Sequence, residues 1–231
     1  MSGPGAALIV GAGAGLSAAL ARLLAGEGHA IHLVARNTGK LAGLATETGA
    51  TLHAADAQDA AAMAGIVAAI PGRLAVAVYN PSARVRGPIT EVDPEAVRQA
   101  MDVTAFGAFL MGQAAARRML AQEPVSGCRG TILFTGASAG VKGFARSAGF
   151  AMGKFAQRGL AQSMARELHP QGIHVAWINI DGRIRAPGRD EPGPDANLDP
   201  DAIARSYLSL IRQDRSAWSE ELSLRPWVER F

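Results

Sequence analysis

The chain has 231 residues, of which 48% are hydrophobic, 5% aromatic and 19% charged. Its net charge is only +3 and its basic residues are scattered, which disfavours a nucleic-acid partner. Cys128 is the one cysteine and cannot form an intrachain disulfide, and no apolar run reaches the roughly 18 residues that span a bilayer. The five histidines have no metal-ligand spacing. We therefore expect a soluble cytoplasmic protein with no membrane partner and no metal.

Short apolar runs alternate with longer segments of helical periodicity along the chain. Strands are predicted at residues 6–10, 30–35, 51–54, 74–79, 131–134, 173–178 and 220–224. Helices are predicted at residues 15–27, 41–49, 57–70, 94–120, 147–168 and 201–213. This alternation predicts one α/β domain over residues 1–231, a Rossmann-type, doubly wound three-layer α/β/α fold with about seven parallel strands. Right-handed crossovers would place a ligand at the carboxyl ends of the first and fourth strands.

Residues 186–200 differ in character from the rest of the chain. They carry four prolines, several acidic residues and few apolar ones. A loop of this length in a compact domain is more often functional than idle. We therefore predict a mobile lid over a substrate cleft, with an ordinary surface loop as the alternative.

A glycine-rich segment, residues 11–17, connects the first predicted strand to the first predicted helix. Such a turn lets backbone N–H groups at a helix N-terminus approach a pyrophosphate closely. Gly11, Gly13, Gly15 and Leu16 are therefore predicted to bind the phosphates of a dinucleotide cofactor. A glycine turn without a ligand is the alternative.

The second predicted strand ends at Arg36 and Asn37. A site selective for NAD(H) would place a carboxylate there to hold the ribose hydroxyls. Arg36 supplies a fixed cation instead, which suits a 2′-phosphate. NADP(H) is therefore the predicted cofactor in preference to NAD(H), with Arg36 and Asn37 among its ligands. A solvated surface arginine is the alternative reading of Arg36.

Several positions together resemble the short-chain dehydrogenase/reductase family, and the resemblance covers nearly the whole chain. The spacing of Gly11 and Gly15 resembles the family's glycine motif, although Ser17 stands where a third glycine is usual. Asp56 and Ala57 match the family's adenine-contacting position, and Asn80 matches the start of its Asn-Ala-Gly segment. Gly182 and Ile184 match the segment that meets the nicotinamide amide, in which Asp181 replaces the usual proline. The resemblance implies an oxidoreductase acting on a small-molecule substrate.

The family's catalytic Asn, Ser, Tyr and Lys are only partly matched. Lys154 stands at the lysine position, where the resemblance implies that it holds the nicotinamide ribose, but Phe150 replaces the tyrosine four residues earlier. Thr104 falls on the asparagine position. The serine position falls on Ala137 with Ser138 next to it, so either a one-residue shift makes Ser138 catalytic or the serine is lost as well.

The substitution at Phe150 bears directly on the chemistry. A positioned acid contributes about 10²–10⁴-fold to carbonyl reduction, and phenylalanine has no proton to give. The chain has two tyrosines, Tyr79 and Tyr207; Tyr79 is a remote substitute because it ends a strand near the predicted cofactor, and Tyr207 is expected to pack in the core. We favour an atypical NADP(H)-dependent oxidoreductase in which Ser138 or a water held by Lys154 supplies the proton, or in which a polarised double bond is reduced.

Two other functions stay open. An NADP(H)-binding protein of the same fold without redox turnover, a sensor or a scaffold, is the main alternative. A nucleic-acid-binding module is disfavoured by the scattered arginines. Family members usually assemble through two long helices, which correspond here to residues 94–120 and 147–168, so a homodimer or homotetramer is expected.

Overall fold

The computed structural model describes residues 4–186, 188, 191 and 193–229. Seven strands form one parallel sheet in the order β3-β2-β1-β4-β5-β6-β7. The strands are β1 (Ala6–Val10), β2 (Ala30–Ala35), β3 (Thr51–Ala54), β4 (Leu74–Tyr79), β5 (Gly130–Thr135), β6 (Ile173–Ile180) and β7 (Glu221–Leu224). The predicted fold class, parallel sheet and strand number are confirmed.

Helices cover both faces of this sheet. They are α1 (Leu16–Gly26), α2 (Ala42–Thr48), α3 (Ala60–Ala69), α4 (Pro94–Met101), α5 (Gly107–Leu120), α6 (Ala148–Leu168) and α7 (Pro200–Ile211). One apolar core joins the sheet to α3, α5 and α6, and a second joins it to α1, α2 and α7. Since β1, β4, β5 and β6 lie between the two cores, they are buried along their whole length. No helix within the described residues is both long enough and apolar enough to cross a membrane.

The helix predicted at residues 57–70 begins later than expected. The Asp59 carboxylate accepts a hydrogen bond from the backbone N–H of Ala62 at 3.0 Å, which makes Asp59 the N-cap. Residues 57–58 therefore remain in the loop that follows β3, and this loop keeps Asp56 at the carboxyl edge of the sheet.

The single helix predicted at residues 94–120 is wrong in its middle. A π-helical turn, Asp102–Phe106, separates α4 from α5. Two carbonyl groups in this turn bind side chains: Tyr79 Oη donates to the Val103 carbonyl at 2.5 Å, and Gln157 Nε2 donates to the Thr104 carbonyl at 3.2 Å. Side chains that insert into the helical hydrogen-bond ladder widen it, and such π turns often lie at functional sites.

The strand order changes direction between β1 and β4, which are neighbours in the sheet although they are not consecutive in the chain. The connections after β1 and β4 therefore diverge and leave a crevice at their carboxyl ends. The predicted position of the ligand site is thus a real opening in the fold.

The residues near the two ends of the segment predicted as a lid are hydrogen-bonded to each other. Ile184 and Leu198 form an isolated parallel bridge, with Arg185 N–H donating to the Leu198 carbonyl at 2.8 Å and Leu198 N–H donating to the Arg183 carbonyl at 2.7 Å. Arg185 also pairs with Glu191 at 3.2 Å. Within the predicted range 186–200, residues 187, 189, 190 and 192 lie outside the described part of the chain.

Candidate functional site

The glycine turn after β1 requires glycine at its first position. Gly11 has a φ of +79°, and a Cβ there would lie 2.7 Å from the nitrogen and ring carbons of Pro81. Gly13 and Gly15 have nothing within 4 Å of such a Cβ. The turn therefore packs against the β4 loop at Gly11 and presents open backbone at its other two glycines.

Ser17, which stands where the family has a third glycine, connects this turn to β4. Its hydroxyl donates to the Gly11 carbonyl at 3.0 Å and accepts from Asn80 Nδ2 at 2.7 Å. The substitution is therefore structural, because it fixes Asn80 beside the turn. The Leu16 side chain is buried in the core, so only its backbone is available to a ligand.

A cavity of about 450 Å³ opens at the carboxyl ends of β1, β2 and β3, and we call it the β2 cavity. Six of the predicted cofactor-binding residues line it: Gly11, Arg36, Asn37, Asp56, Ala57 and Asn80. The Asp56 carboxylate accepts from the backbone N–H of Gln58 at 3.0 Å, and the Asn37 amide oxygen accepts from the Gly39 N–H at 3.0 Å. Arg36 is exposed and its guanidinium makes no hydrogen bond or ion pair within the described residues.

A larger cavity of about 890 Å³ lies at the carboxyl ends of β4, β5 and β6, and we call it the β5 cavity. The predicted site residues that line it are Asn80, Ser138, Phe150, Lys154, Gly182 and Ile184. Asn80 and Ser82 line both cavities, which are therefore adjacent. Gly13, Gly15 and Leu16 line neither cavity, and Thr104 lies behind the β5 cavity rather than in its wall.

Lys154 is the buried cation of the β5 cavity, with only 2% of its surface exposed. Its ammonium group donates to the Thr135 carbonyl at 2.6 Å and to Gln157 Oε1 at 3.2 Å. Burial, and secondly the positive charge of Arg84, lower the pKa of Lys154 to about 7. The ammonium has three donors, so one remains for a group in the cavity.

Gln157 was missed by the sequence reasoning. This side chain has no exposed surface and connects Lys154 Nζ to the Thr104 carbonyl of the π turn. It lies three residues after Lys154 on α6, a spacing that places both side chains on one helix face. That spacing was the available signal, but it does not show which buried carbonyl the amide reaches.

Thr104 has a supporting position instead of a place in the cavity wall. Its hydroxyl accepts a hydrogen bond from the Ala83 N–H at 3.1 Å, and its backbone carbonyl binds Gln157. The residue at the family's asparagine position therefore fixes both the β4 loop and the glutamine beside Lys154.

Phe150 lies in the wall of the β5 cavity, and the guanidinium of Arg84 stacks on its ring at 4.6 Å from the centroid. Neither tyrosine can replace the missing phenol there. Tyr79 Oη is committed to the Val103 carbonyl, and Tyr207 Oη is hydrogen-bonded to Thr135 Oγ1 at 2.8 Å; both side chains have no exposed surface, and burial raises the pKa of each phenol.

Both Ala137 and Ser138 line the β5 cavity, at the start of a short 3₁₀ turn, Ser138–Gly140. Ser138 is therefore within the cavity despite the one-residue offset from the family's serine. The turn rests on Trp177, because a Cβ at Gly136 or Gly140 would lie 2.3–2.5 Å from its ring.

Asp181 replaces the family's proline at the end of β6, and it has a partner. Its carboxylate pairs with Arg225 at 3.0 Å, which anchors the segment carrying Gly182 and Ile184 to the chain after β7.

Within the described residues, no three His, Cys, Asp or Glu side chains form a group that could hold a metal ion.

A parallel sheet with a glycine turn at the β1/β4 crevice and two adjoining cavities is characteristic of Rossmann-type dinucleotide-binding folds. The family model described as short chain dehydrogenase matches residues 5–185. The chain therefore belongs to the short-chain dehydrogenase family, whose members are oxidoreductases.

Individual relatives agree with this assignment. A short-chain dehydrogenase from Rhodopseudomonas palustris has 34% identity and a TM-score of 0.83, covering 98% of this chain and 100% of that one. A metagenomic short-chain oxidoreductase in complex with NADP has 28% identity and a TM-score of 0.82, covering 98% and 99%. The 3-dehydrosphinganine reductase TSC10B of Arabidopsis thaliana is 29% identical over 199 residues, which is 82% of this chain and 56% of that longer protein.

Proposed function

We propose that the chain is an NADP(H)-dependent oxidoreductase that reduces a small-molecule substrate without the family's tyrosine. One observation carries the proposal: the β2 and β5 cavities adjoin at Asn80, with Arg36 at one end and Lys154 at the other. An extended dinucleotide suits this arrangement, because its 2′-phosphate end and its nicotinamide end lie far apart. The NADP-bound relative at 28% identity supports the same cofactor.

The residues present fit this cofactor in chain order. The open backbone at Gly13 and Gly15, with the N-terminal N–H groups of α1, would hold the pyrophosphate. Arg36 and Asn37 would hold the 2′-phosphate, and the Asp56–Ala57 segment would contact adenine. Lys154 with Asn80 would hold the nicotinamide ribose, and Gly182 and Ile184 the nicotinamide amide.

The cofactor would supply a hydride, and the chain must place or supply the matching proton. Burial lowers the pKa of Lys154 to about 7, so its ammonium can release a proton at neutral pH. The same group can hold a water molecule that donates the proton to the substrate. Ser138 can donate its hydroxyl hydrogen to a substrate oxygen in the same cavity. A substrate with a polarised double bond would need less from these groups than a ketone.

The direct test is tryptophan-excited NADPH fluorescence followed by NADPH oxidation with a panel of aldehydes, ketones and enones. We expect NADPH to bind more tightly than NADH, and at least one substrate class to be reduced. Lys154→Ala should weaken NADPH binding, and an unchanged affinity would remove Lys154 from the site. Binding without turnover across the panel would favour the non-redox sensor or scaffold, and no NADPH binding would refute the proposal as a whole.

We also propose a homodimer or homotetramer. Four large apolar side chains in the helical regions 94–120 and 147–168 have 39–53% of their surface exposed. They are Phe106 and Phe109, near the start of α5, and Met152 and Phe155, on α6. Light scattering coupled to gel filtration would measure the mass. A Phe155→Glu variant should shift it towards the monomer, whereas a monomeric parent chain would contradict the proposal.

Three further expectations remain proposals. Residues 1–231 would form one domain, and residues 186–200 would close over the β5 cavity as a lid. The cytoplasm is the proposed location, supported by the single Cys128. Hydrogen exchange of the segment with and without NADPH would test the lid, because closure predicts slower exchange in the bound state.

A further inference from the structure

Basic side chains are prominent in the wall of the β5 cavity. Four cations line it: Arg84, Arg86, Lys154 and Arg183. None of the described residues in its wall is an aspartate or a glutamate. Two acidic residues on the neighbouring segments have partners outside the cavity wall, since Asp181 binds Arg225 and Glu191 binds Arg185. A cavity of one sign attracts ligands of the opposite sign.

Arg84 stands at the reacting end of this cavity. Its guanidinium covers the ring of Phe150, which occupies the family's tyrosine position, and it is close enough to Lys154 to lower the pKa of that lysine. Two like charges beside each other are unfavourable, and an anion between them relieves the repulsion. A second aromatic ring in the cavity wall, Phe144, carries Lys142 at 5.5 Å from its centroid.

The loop that carries the two arginines is fixed on both sides. Ala83 N–H, immediately before Arg84, donates to the Thr104 hydroxyl at 3.1 Å. Gly87 N–H, immediately after Arg86, donates to the Arg146 carbonyl at 3.1 Å. Arginines held on an anchored loop lose less conformational freedom when they bind a ligand, and their planar donors match carboxylate and phosphate oxygens.

The cofactor does not account for these charges. The proposed 2′-phosphate site has its own arginine, Arg36, in the β2 cavity, and neither Arg84 nor Arg86 lines that cavity. The proposed pyrophosphate site is the glycine turn, which does not line the β5 cavity. Arg84 and Arg86 therefore lie where a substrate would sit beside the nicotinamide end of the cofactor.

We propose that the substrate carries an anionic group, a carboxylate or a phosphate, and that Arg84 and Arg86 bind this group beside Lys154. This inference rests on the proposed function, because that function makes the β5 cavity the substrate site. It adds the substrate class and two specificity residues that no family motif supplies.

The test measures binding of small anions by calorimetry to the full chain, with malonate, inorganic phosphate and the neutral isostere malonamide as probes. We expect malonate or phosphate to bind and malonamide not to bind. Arg84→Gln and Arg86→Gln should each weaken the anion by about tenfold or more, and Arg84→Lys should retain part of the affinity. The stronger of the two anions identifies the carboxylate or the phosphate as the natural group.

Two arginines elsewhere serve as matched controls. Arg117→Gln on the exposed side of α5 should leave the affinity for both anions unchanged. Arg36→Gln in the β2 cavity should leave the affinity for malonate unchanged, and malonate is the probe for this control because inorganic phosphate also suits the proposed 2′-phosphate site. Absence of binding by either anion, equal binding of malonamide, or a loss of malonate affinity in Arg36→Gln instead of Arg84→Gln would overturn the proposal. Thermal melts of each variant show whether it is folded.

NADPH fluorescence on the same samples separates this proposal from the preceding one. NADPH binding without anion binding would refute the anionic subsite and leave the proposed function standing. Anion binding that depends on Arg84 in a chain that does not bind NADPH would refute the proposed function and leave the subsite.

Discussion

The two cavities share Asn80 and Ser82 but differ in how their residues relate to the family pattern. The β2 cavity keeps the family residues in place: Gly11, Asp56 and Asn80 line it, and Ser17 fixes the turn by hydrogen bonds. The β5 cavity keeps Lys154 but has Phe150 at the tyrosine position, with Arg84 stacked on it. The family pattern is therefore kept around the β2 cavity and departs at the tyrosine position of the β5 cavity.

The largest effect is expected from restoring the phenol. Phe150→Tyr should raise carbonyl reduction by about 10²–10⁴-fold, because it places a proton donor four residues before Lys154 on α6. The readout is NADPH oxidation with ketones. Phe144→Tyr is the matched control, since it adds a phenol to the same cavity without a lysine four residues later. An equal gain from both variants would contradict a site that is otherwise competent.

The glycine turn is expected to be nearly as sensitive. Gly11→Ala forces a positive φ on a residue with a Cβ and places that Cβ 2.7 Å from Pro81, which we expect to destabilise the fold by about 1–3 kcal/mol or more and to abolish NADPH binding. Thermal melts and fluorescence titrations measure both effects. A Cβ at Gly13 would have no atom within 4 Å, so Gly13→Ala should leave the melting temperature unchanged and weaken only the binding of NADPH. Equal melting temperatures for the two variants would refute this account.

The lowered pKa of Lys154 makes the stability of the fold depend on pH. Burial first, and Arg84 second, lower its pKa from 10.5 to about 7, so the unfolded chain binds the proton more tightly than the folded chain. The free energy of unfolding should therefore rise with pH between about 7 and 10.5, by up to about 1.4 kcal/mol for each pKa unit.

Lys154→Met removes this pH dependence. Relative to the parent chain, the variant should be most stable near pH 6 and lose this advantage towards pH 10, as measured by urea unfolding without cofactor. Lys142→Met, which changes an exposed lysine, provides the control. A constant difference across the pH range would show that Lys154 titrates normally.

The smallest effect is expected at the exposed end of the β2 cavity. Arg36→Gln should reduce the preference for NADPH over NADH by about tenfold, because it would remove the proposed charge-assisted contact to the 2′-phosphate and leave the rest of the site intact. Fluorescence titration with both cofactors measures the ratio. Affinity for NADH should stay the same, and a parallel loss for both cofactors would assign Arg36 to a general role.

Much of the fold follows from local sequence signals. The alternation of apolar runs and helical segments was sufficient for seven parallel strands, and the strand–glycine–helix pattern at residues 11–17 located the crevice. These features are short-range, because strand burial and turn conformation depend on residues within a few positions of each other. The π turn at Asp102–Phe106 was not predictable in this way, because its cause is contact with Tyr79 and Gln157 from distant segments.

The candidate site divides along the same line. The sequence by itself determined that Lys154 is present, that Phe150 cannot donate a proton, and that glycine and arginine occupy the turn and the end of β2. Only the tertiary structure brought Gln157 to the Thr104 carbonyl and placed Arg84 over Phe150, since these contacts join α6 to the π turn and to the loop after β4. The basic side chains of the β5 cavity come from α6 and from the loops after β4 and β6, which are distant in the chain, and the fold alone brings them together.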